Sequence, residues 1–478
     1  MKKEAKTFIS FGAGVVASSV LAGCDLAPRY HTPVVAVPVS YAEAAHWQQA
    51  APADAVPRGT WWEIYRDPVL NGLQTRVDGS NPDLQEAAAV YDQARALAAE
   101  AAAGLYPNLG IGANISANRQ SNRRPLRGEH EPNQYMSNGI DAQASYEIDI
   151  WDKVANEVKA GKAAAASSAA DLATLGLSLH AELASDYFTL RGLDAQADLL
   201  ARTVGTYQQA LTLTQNRFAG HIASDIDVAR AATQLDDARA QASDIQARRA
   251  LAVHAIAVLI GEPPAALSID PAAVPVAVPA LDAGLPATLL QRRPDVAAAE
   301  RQVAAANAEI GVARAAFYPN IALNGIVGLQ DTGFNMFTLP DSFWSIGPGL
   351  TLPIFEGGLL RAQENAAAAV YRRTVAAYKA TVLDAFGEVE DQLALLHWLG
   401  DEQREEDAAA TDAGRTLSGA LTLYKDGATS FLDVVTAQTA ELQAERNALD
   451  IRTRRVNASV ALIRALGGGW AINDLPPG

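Results

Sequence analysis

The chain is written twice. Residues 81–113 (NPDLQEAAAVYDQARALAAEAAAGLYPNLGIGA) align without a gap on residues 293–325 (RPDVAAAERQVAAANAEIGVARAAFYPNIALNG). Pro82 matches Pro294, and Tyr106-Pro107-Asn108 matches Tyr318-Pro319-Asn320. Farther along, Tyr146 to Trp151 corresponds to Leu350 to Phe355, and Ser224 to Val228 corresponds to Ser430 to Val434. A duplication of about 200 residues is far longer than a solenoid period, so it predicts two halves of one pseudo-twofold protomer.

Each half changes its hydrophobic period in the same order. An alanine-rich helix is expected over 83–104 and again over 295–316, stopped by Tyr-Pro because proline restricts the residue before it. Period two follows: Leu109, Ile111, Ala113 and Ile115 alternate with glycines and asparagines, and Ile140, Ala142, Ala144 and Tyr146 alternate with Asp141, Gln143 and Ser145. These runs predict strand pairs at 108–119/140–151 and 320–330/342–355, with apolar residues toward lipid and small polar ones toward a lumen. Long helical tracts free of proline follow at roughly 152–216 and 358–422. Each would reach on the order of 100 Å. Tips at 217–224 and 423–430 lead into return helices near 226–260 and 431–466. The returns carry heptads, Val228, Leu235, Ala242 and Ile256 (broken by Arg249) and Val435, Leu442, Leu449, Val456 and Ile463, which predict coiled-coil-type seams.

Four strands cannot close a membrane barrel, and open edges are not tolerated in lipid. Two chains would supply eight strands with a filled interior, whereas three would supply twelve and leave room for a channel. The small polar residues on the lumen side suit water, so the sequence leans towards an α+β trimeric pore with four strands per protomer.

The N-terminus fits an exported protein. Lys2, Lys3 and Lys6 precede an apolar run ending in Leu21-Ala22-Gly23-Cys24, which resembles a bacterial lipobox with Cys24 as the acylated new N-terminus. No other cysteine exists, so no intramolecular disulfide can form. Asp25 follows directly, and aspartate at that position can act as an inner-membrane retention signal in enteric bacteria; barrel assembly is expected to override it. The expected division is a signal peptide at 1–23, a lipid-anchored leader and equatorial segment at 24–80 and a first repeat at 81–262. A linker at 263–293, a second repeat at 294–469 and a tail at 470–478 complete it.

The formal charge of −16 repels phosphate backbones and argues against nucleic acid as a partner. No G-x-S-x-G elbow, Walker loop or dinucleotide fingerprint is present, so no catalytic residue is assigned. The seven histidines, among them His180, His221 and His254, form no H-E-x-x-H motif or close pair, so no metal site and no cofactor beyond the lipid on Cys24 are expected. A lipid-anchored periplasmic coiled-coil spacer is the alternative reading; it would explain the helices and Cys24 but has no need of two strand pairs.

Several segments together resemble the TolC-like outer-membrane factor family in its NodT/OprM lipoprotein branch: Trp61-Trp62 with Asp67-Pro68, Asn81-Pro82-Asp83-Leu84, Tyr146 to Trp151, RRPDVAAAE at 292–300, and the closing Leu466 to Trp470. The resemblance implies a homotrimeric α+β membrane protein: a twelve-stranded outer-membrane β-barrel, four strands per protomer, continuing into a long α-helical barrel that crosses the periplasm. It would serve as the passive exit duct of a tripartite pump, with a periplasmic adaptor and an inner-membrane RND-type transporter as partners. It places the adaptor contact at the two tips, through Gly220, His221 and Ser224 and through Gly427 and Ser430. Gly427 stands at the family's usual glycine position, whereas the first tip has His221 there. It also implies a gate of Asp227, Tyr424 and Asp433, with a Tyr–Asp hydrogen bond holding the inner helices and converging Asp433 side chains making conductance cation-selective and pH-sensitive. A second reading stays open for the aspartates: Ser224-x-x-Asp227 and Ser430-x-x-Asp433 are capping-box variants.

Overall fold

The computed structural model describes residues 25–43, 59–123, 132–273, 278–279, 292–333 and 337–470. Cys24 and the signal peptide lie outside the described residues, as do most of the inter-repeat linker and all of the tail after Trp470. A short helix α1 (Pro68–Ser80) is the first α-helix of the described residues, started by Asp67, whose carboxylate accepts from the Val69 and Leu70 amides. The first repeat runs α2 (Pro82–Ala103), β1 (Asn108–Arg119), β2 (Gln134–Glu147), α3 (Lys153–Ala219) and α4 (Asp225–Leu259). The second runs α5 (Pro294–Ala315), β3 (Asn320–Asp331), β4 (Ser342–Thr351), α6 (Leu359–Lys425) and α7 (Phe431–Ala465). Equivalent helices match in length: 22 residues for α2 and α5, 67 for α3 and α6, and 35 for α4 and α7.

The strands form one antiparallel sheet in the order β1-β2-β3-β4. Its register sorts side chains by face. Ile111, Ala142, Val327 and Trp344 lie in one rung, and Leu109, Ala144, Gly325 and Ile346 in another, making an exposed apolar face. The opposite face carries Asn108, Ser145, Asn324 and Asp141, with Gln143 donating to Asp141 at 2.7 Å. Ile326 and Phe343 are apolar exceptions on that polar face. Among the described residues the outer edges of β1 and β4 are unpaired, as expected of a segment of a larger barrel.

Three strand limits differ by more than one residue from those expected. β2 starts at Gln134 rather than 140, because β1 runs to Arg119 and the ladder pairs Arg119 with Gln134. It ends at Glu147 rather than 151: the Asp149 carboxylate turns to accept the Ala155 amide at 2.7 Å, starting α3. β4 stops at Thr351 rather than 355, ahead of Pro353, which has no N–H for a ladder.

Among the described residues the two largest apolar clusters are built by the helices. One packs Trp61, Trp62 and α1 against Leu183, Tyr187 and Ile256. Another joins α5, α6 and α7 through Val303, Val382, Leu393 and Leu462. The heptad residues Leu235, Leu442 and Val456 are buried in the seams. The break at Arg249 also has its reason: Asp194, buried on α3, accepts from Arg249 Nε at 2.7 Å, from Arg191 Nη1 at 2.9 Å and from the Ala272 amide at 3.0 Å. Arg249 and Arg191 in turn donate to the Ile269 and Asp270 carbonyls, so the linker is fastened to the helical hairpin by charge at one seam position.

Candidate functional site: the helical tips

Both long helices end in the same backbone turn. At the first tip the Ile222 amide returns to the Arg217 carbonyl at 2.8 Å and the His221 amide to Phe218 at 2.9 Å. At the second, Ala428 returns to Leu423 at 2.8 Å and Gly427 to Tyr424 at 3.1 Å. This is the Schellman arrangement, which needs one residue in the left-handed region. Gly427 takes it at φ 76° without strain, whereas at the first tip His221 takes it at φ 59° and Gly220 keeps an ordinary φ of −81°.

Each return helix then begins with a complete capping box. Asp227 Oδ2 accepts from the Ser224 amide at 3.2 Å while Ser224 Oγ accepts from the Asp227 amide at 3.2 Å. Asp433 accepts from the Ser430 amide at 3.2 Å, from Ser430 Oγ at 3.0 Å and from Thr429 Oγ1. Those bonds, Thr429's first, hold the Asp433 carboxyl below the usual carboxylate range. Within the protomer the two aspartates are therefore spent on helix starts.

Tyr424 is placed differently from the expected Tyr–Asp pair. It is buried beside Phe431, ring centres 5.2 Å apart, in a cluster with Ala231, Leu417, Val434 and Ala437, and its hydroxyl has no partner in the protomer. The physical reason is packing: the ring of Tyr424 fills the apolar core of the second tip, while Asp433 faces outward to its own cap. The residue that does reach Tyr424 is one that sequence reasoning passed over. Arg217 donates through Nη1 to the Tyr424 and Lys425 carbonyls at 2.9 and 3.2 Å and lies 4.7 Å over the Tyr424 ring. A cation at exposed carbonyls is favoured by the helix dipole, and this one serves the neighbouring helix rather than its own.

Beside exposed His221, Asp225, Lys425 and Asp426, each tip also presents large apolar side chains. Phe218, Ile222 and Ile226 at the first tip and Leu423 and Leu432 at the second are exposed, Ile222 by 70%. Large side chains exposed on the protomer beside a tight turn suit contact with another chain.

A family profile for outer membrane efflux proteins matches residues 75–262 and 285–468, one match for each half of the duplication. The chain is 31% identical over 466 residues to the outer membrane protein OprJ of Pseudomonas aeruginosa, covering 96% of each chain. It is 30% identical over 465 residues to the toluene efflux pump outer membrane protein TtgF of Pseudomonas putida, covering 95% of this chain and 96% of that one. The open-state MtrE outer membrane channel of Neisseria gonorrhoeae has a TM-score of 0.82 at 28% identity, covering 93% of this chain and 98% of that one. The architecture is that of the trimeric outer-membrane channels, a β-barrel in the membrane continued by a helical barrel into the periplasm. With two strand pairs, two long helical hairpins and a profile match to each half, the chain belongs to the outer membrane efflux protein family.

Proposed function

We propose that three copies of this chain form the exit duct of a tripartite efflux pump, through which small molecules leave passively for the exterior. The observation that carries this reading is the four-stranded sheet with one exposed apolar face, one polar face and two free edges, set on helices of 67 residues. Edges of that kind are satisfied in lipid only by closure with further copies, and twelve strands leave a lumen. The large apolar side chains exposed at the tips support docking of a periplasmic adaptor, which would link the duct to an inner-membrane RND-type transporter. Gly220, His221, Ser224, Gly427 and Ser430 shape the two turns that such an adaptor would meet.

Acylation of Cys24 adds a second hold on the outer membrane. Asp227 and Asp433 line the starts of the return helices, where three copies of each would give the periplasmic mouth an acidic ring, and Tyr424 stiffens that mouth from inside the tip. The protein in planar bilayers tests the reading. Heat-resistant trimers with single-channel conductance are expected; monomers without conductance, the behaviour of a lipid-anchored coiled-coil spacer, would overturn it.

A further inference from the structure

Asp25, the residue directly after Cys24, is bonded into the protein. Asp25 Oδ2 accepts from Lys159 Nζ at 2.7 Å, and Asp25 Oδ1 accepts from Asn156 Nδ2 at 3.0 Å and from the Ala27 amide at 2.9 Å. Lys159 Nζ also reaches Asn156 Oδ1 at 3.2 Å, closing a triangle of three side chains at the start of α3. Asn156 is fully buried, so its amide depends on Asp25 as acceptor; without it a buried donor goes unpaired. The carboxyl of Asp25 is held below its usual value because the bonds from Lys159 and Asn156 outweigh its partial burial, so it stays ionised.

The segment following Asp25 is fastened as well. Asn307 donates to the Pro28 carbonyl at 2.8 Å, Arg314 to the Leu26 carbonyl at 3.3 Å, and the Tyr30 hydroxyl bonds Glu300. Gly311 on α5 makes this path possible: a Cβ there would stand 2.5 Å from Asn156 Nδ2 and 2.8 Å from the Ala27 Cβ. Glycine at this helical position leaves the space that the leader and a buried amide occupy.

We infer that Asp25 is a positioning residue: its bonds to Asn156 and Lys159 hold the start of the leader, from Asp25 onward, against the first turns of α3 and withdraw the carboxylate from recognition as a retention signal. The inference rests on acylation of Cys24. Folding of the leader onto α3 and α5 then decides membrane sorting, since only an undocked leader presents aspartate freely beside the lipid.

The test is made in an enteric host in which aspartate after the lipidated cysteine retains a reporter lipoprotein in the inner membrane. Wild type, Lys159→Met, Asn156→Ala and the doubles Asp25→Ser/Lys159→Met and Asp25→Ser/Asn156→Ala are fractionated, with trimers scored on unheated gels. Wild type is expected in the outer membrane. Each single variant of α3 should move at least a third of the mature chain to the inner-membrane fraction, and Asp25→Ser should return it while leaving the leader undocked. Rescue of that kind is not produced by a purely structural defect. Both single variants remaining wholly in the outer membrane, or a shift that Asp25→Ser does not reverse, would overturn the inference. Mass spectrometry of the N-terminal peptide separates this from the underlying reading: an unacylated Cys24 in wild type removes both, whereas acylated protein with unchanged sorting removes the inference alone.

Discussion

Arg217, in the last turn of α3, stacks 4.7 Å over the ring of Tyr424 and donates to the Tyr424 carbonyl at the end of α6. One guanidinium therefore ties the two hairpins of a protomer together at their far ends, at a charge-favoured helix terminus and on an aromatic face. The contact combines a charge-assisted hydrogen bond with a cation–π stack, which together contribute about 1–2 kcal/mol at a half-exposed site. Arg217→Met is expected to raise single-channel conductance and lower the melting temperature of the trimer without changing helical content. Arg217→Lys keeps the charge near the carbonyls but not the planar stack, and should fall between the two.

Gly427 and His221 occupy equivalent turns and predict opposite responses. A side chain at Gly427 meets nothing nearer than Arg217 Nη2 at 3.9 Å, so space is not the constraint; its φ of 76° is. Gly427→Val should strain the turn by about 1–2 kcal/mol and place a branched side chain on the surface proposed for the adaptor. Pump-dependent resistance should be lost while trimers persist on unheated gels. His221→Gly removes an existing strain at φ 59° and should stabilise the first tip by up to about 1 kcal/mol. Differential melting of the paired variants reads both signs.

Much of this molecule was legible because its information is local. The duplicated Tyr-Pro stops, the alternation through Leu109, Ile111 and Ile115, and Ser224-x-x-Asp227 each concern residues within one or two turns or strands. What escaped was long-range. The start of β2 depends on which residue of β1 faces it, and Arg119 opposite Gln134 is a fact of register rather than of pattern. The Arg217–Tyr424 contact joins residues 207 positions apart, and a basic residue in a last turn ordinarily reads as a cap for its own helix. Arg249 lies between these cases: the sequence marked it as a flaw in a heptad, but not that buried Asp194 was the cause.

Asp194 carries the next prediction. Its side chain is 1% exposed and accepts from two arginines and a linker amide, so removing it leaves two guanidinium groups without their buried acceptor. Asp194→Ala should destabilise the chain by about 3–5 kcal/mol, far more than loss of an exposed pair such as Arg202–Asp198. Thermal unfolding of Asp194→Ala and Asp198→Ala side by side gives the difference. Replacing Arg249 by leucine in the Asp194→Ala background restores the heptad and should recover part of the loss, because an apolar seam no longer contains an unpaired charge.

The last prediction concerns whether acid acts on the mouth of the duct through Asp433. Its carboxyl is depressed by hydrogen bonds from Thr429 and Ser430 hydroxyls and the Ser430 amide. A depressed group contributes stability that is present above its unfolded value and is lost only as pH falls through the lower folded one. The cap therefore stays formed across the ordinary periplasmic range and fails only below the normal carboxylate pKa of about 3.9. Conductance of wild type and Asp433→Asn should accordingly run parallel between about pH 5 and pH 8, offset by loss of fixed charge, with cation selectivity reduced in the variant. Three Asp433 carboxylates crowded on the axis would instead repel one another and raise the pKa. A wild-type conductance step between pH 5 and pH 7 that Asp433→Asn abolishes would show that repulsion across the axis outweighs the cap.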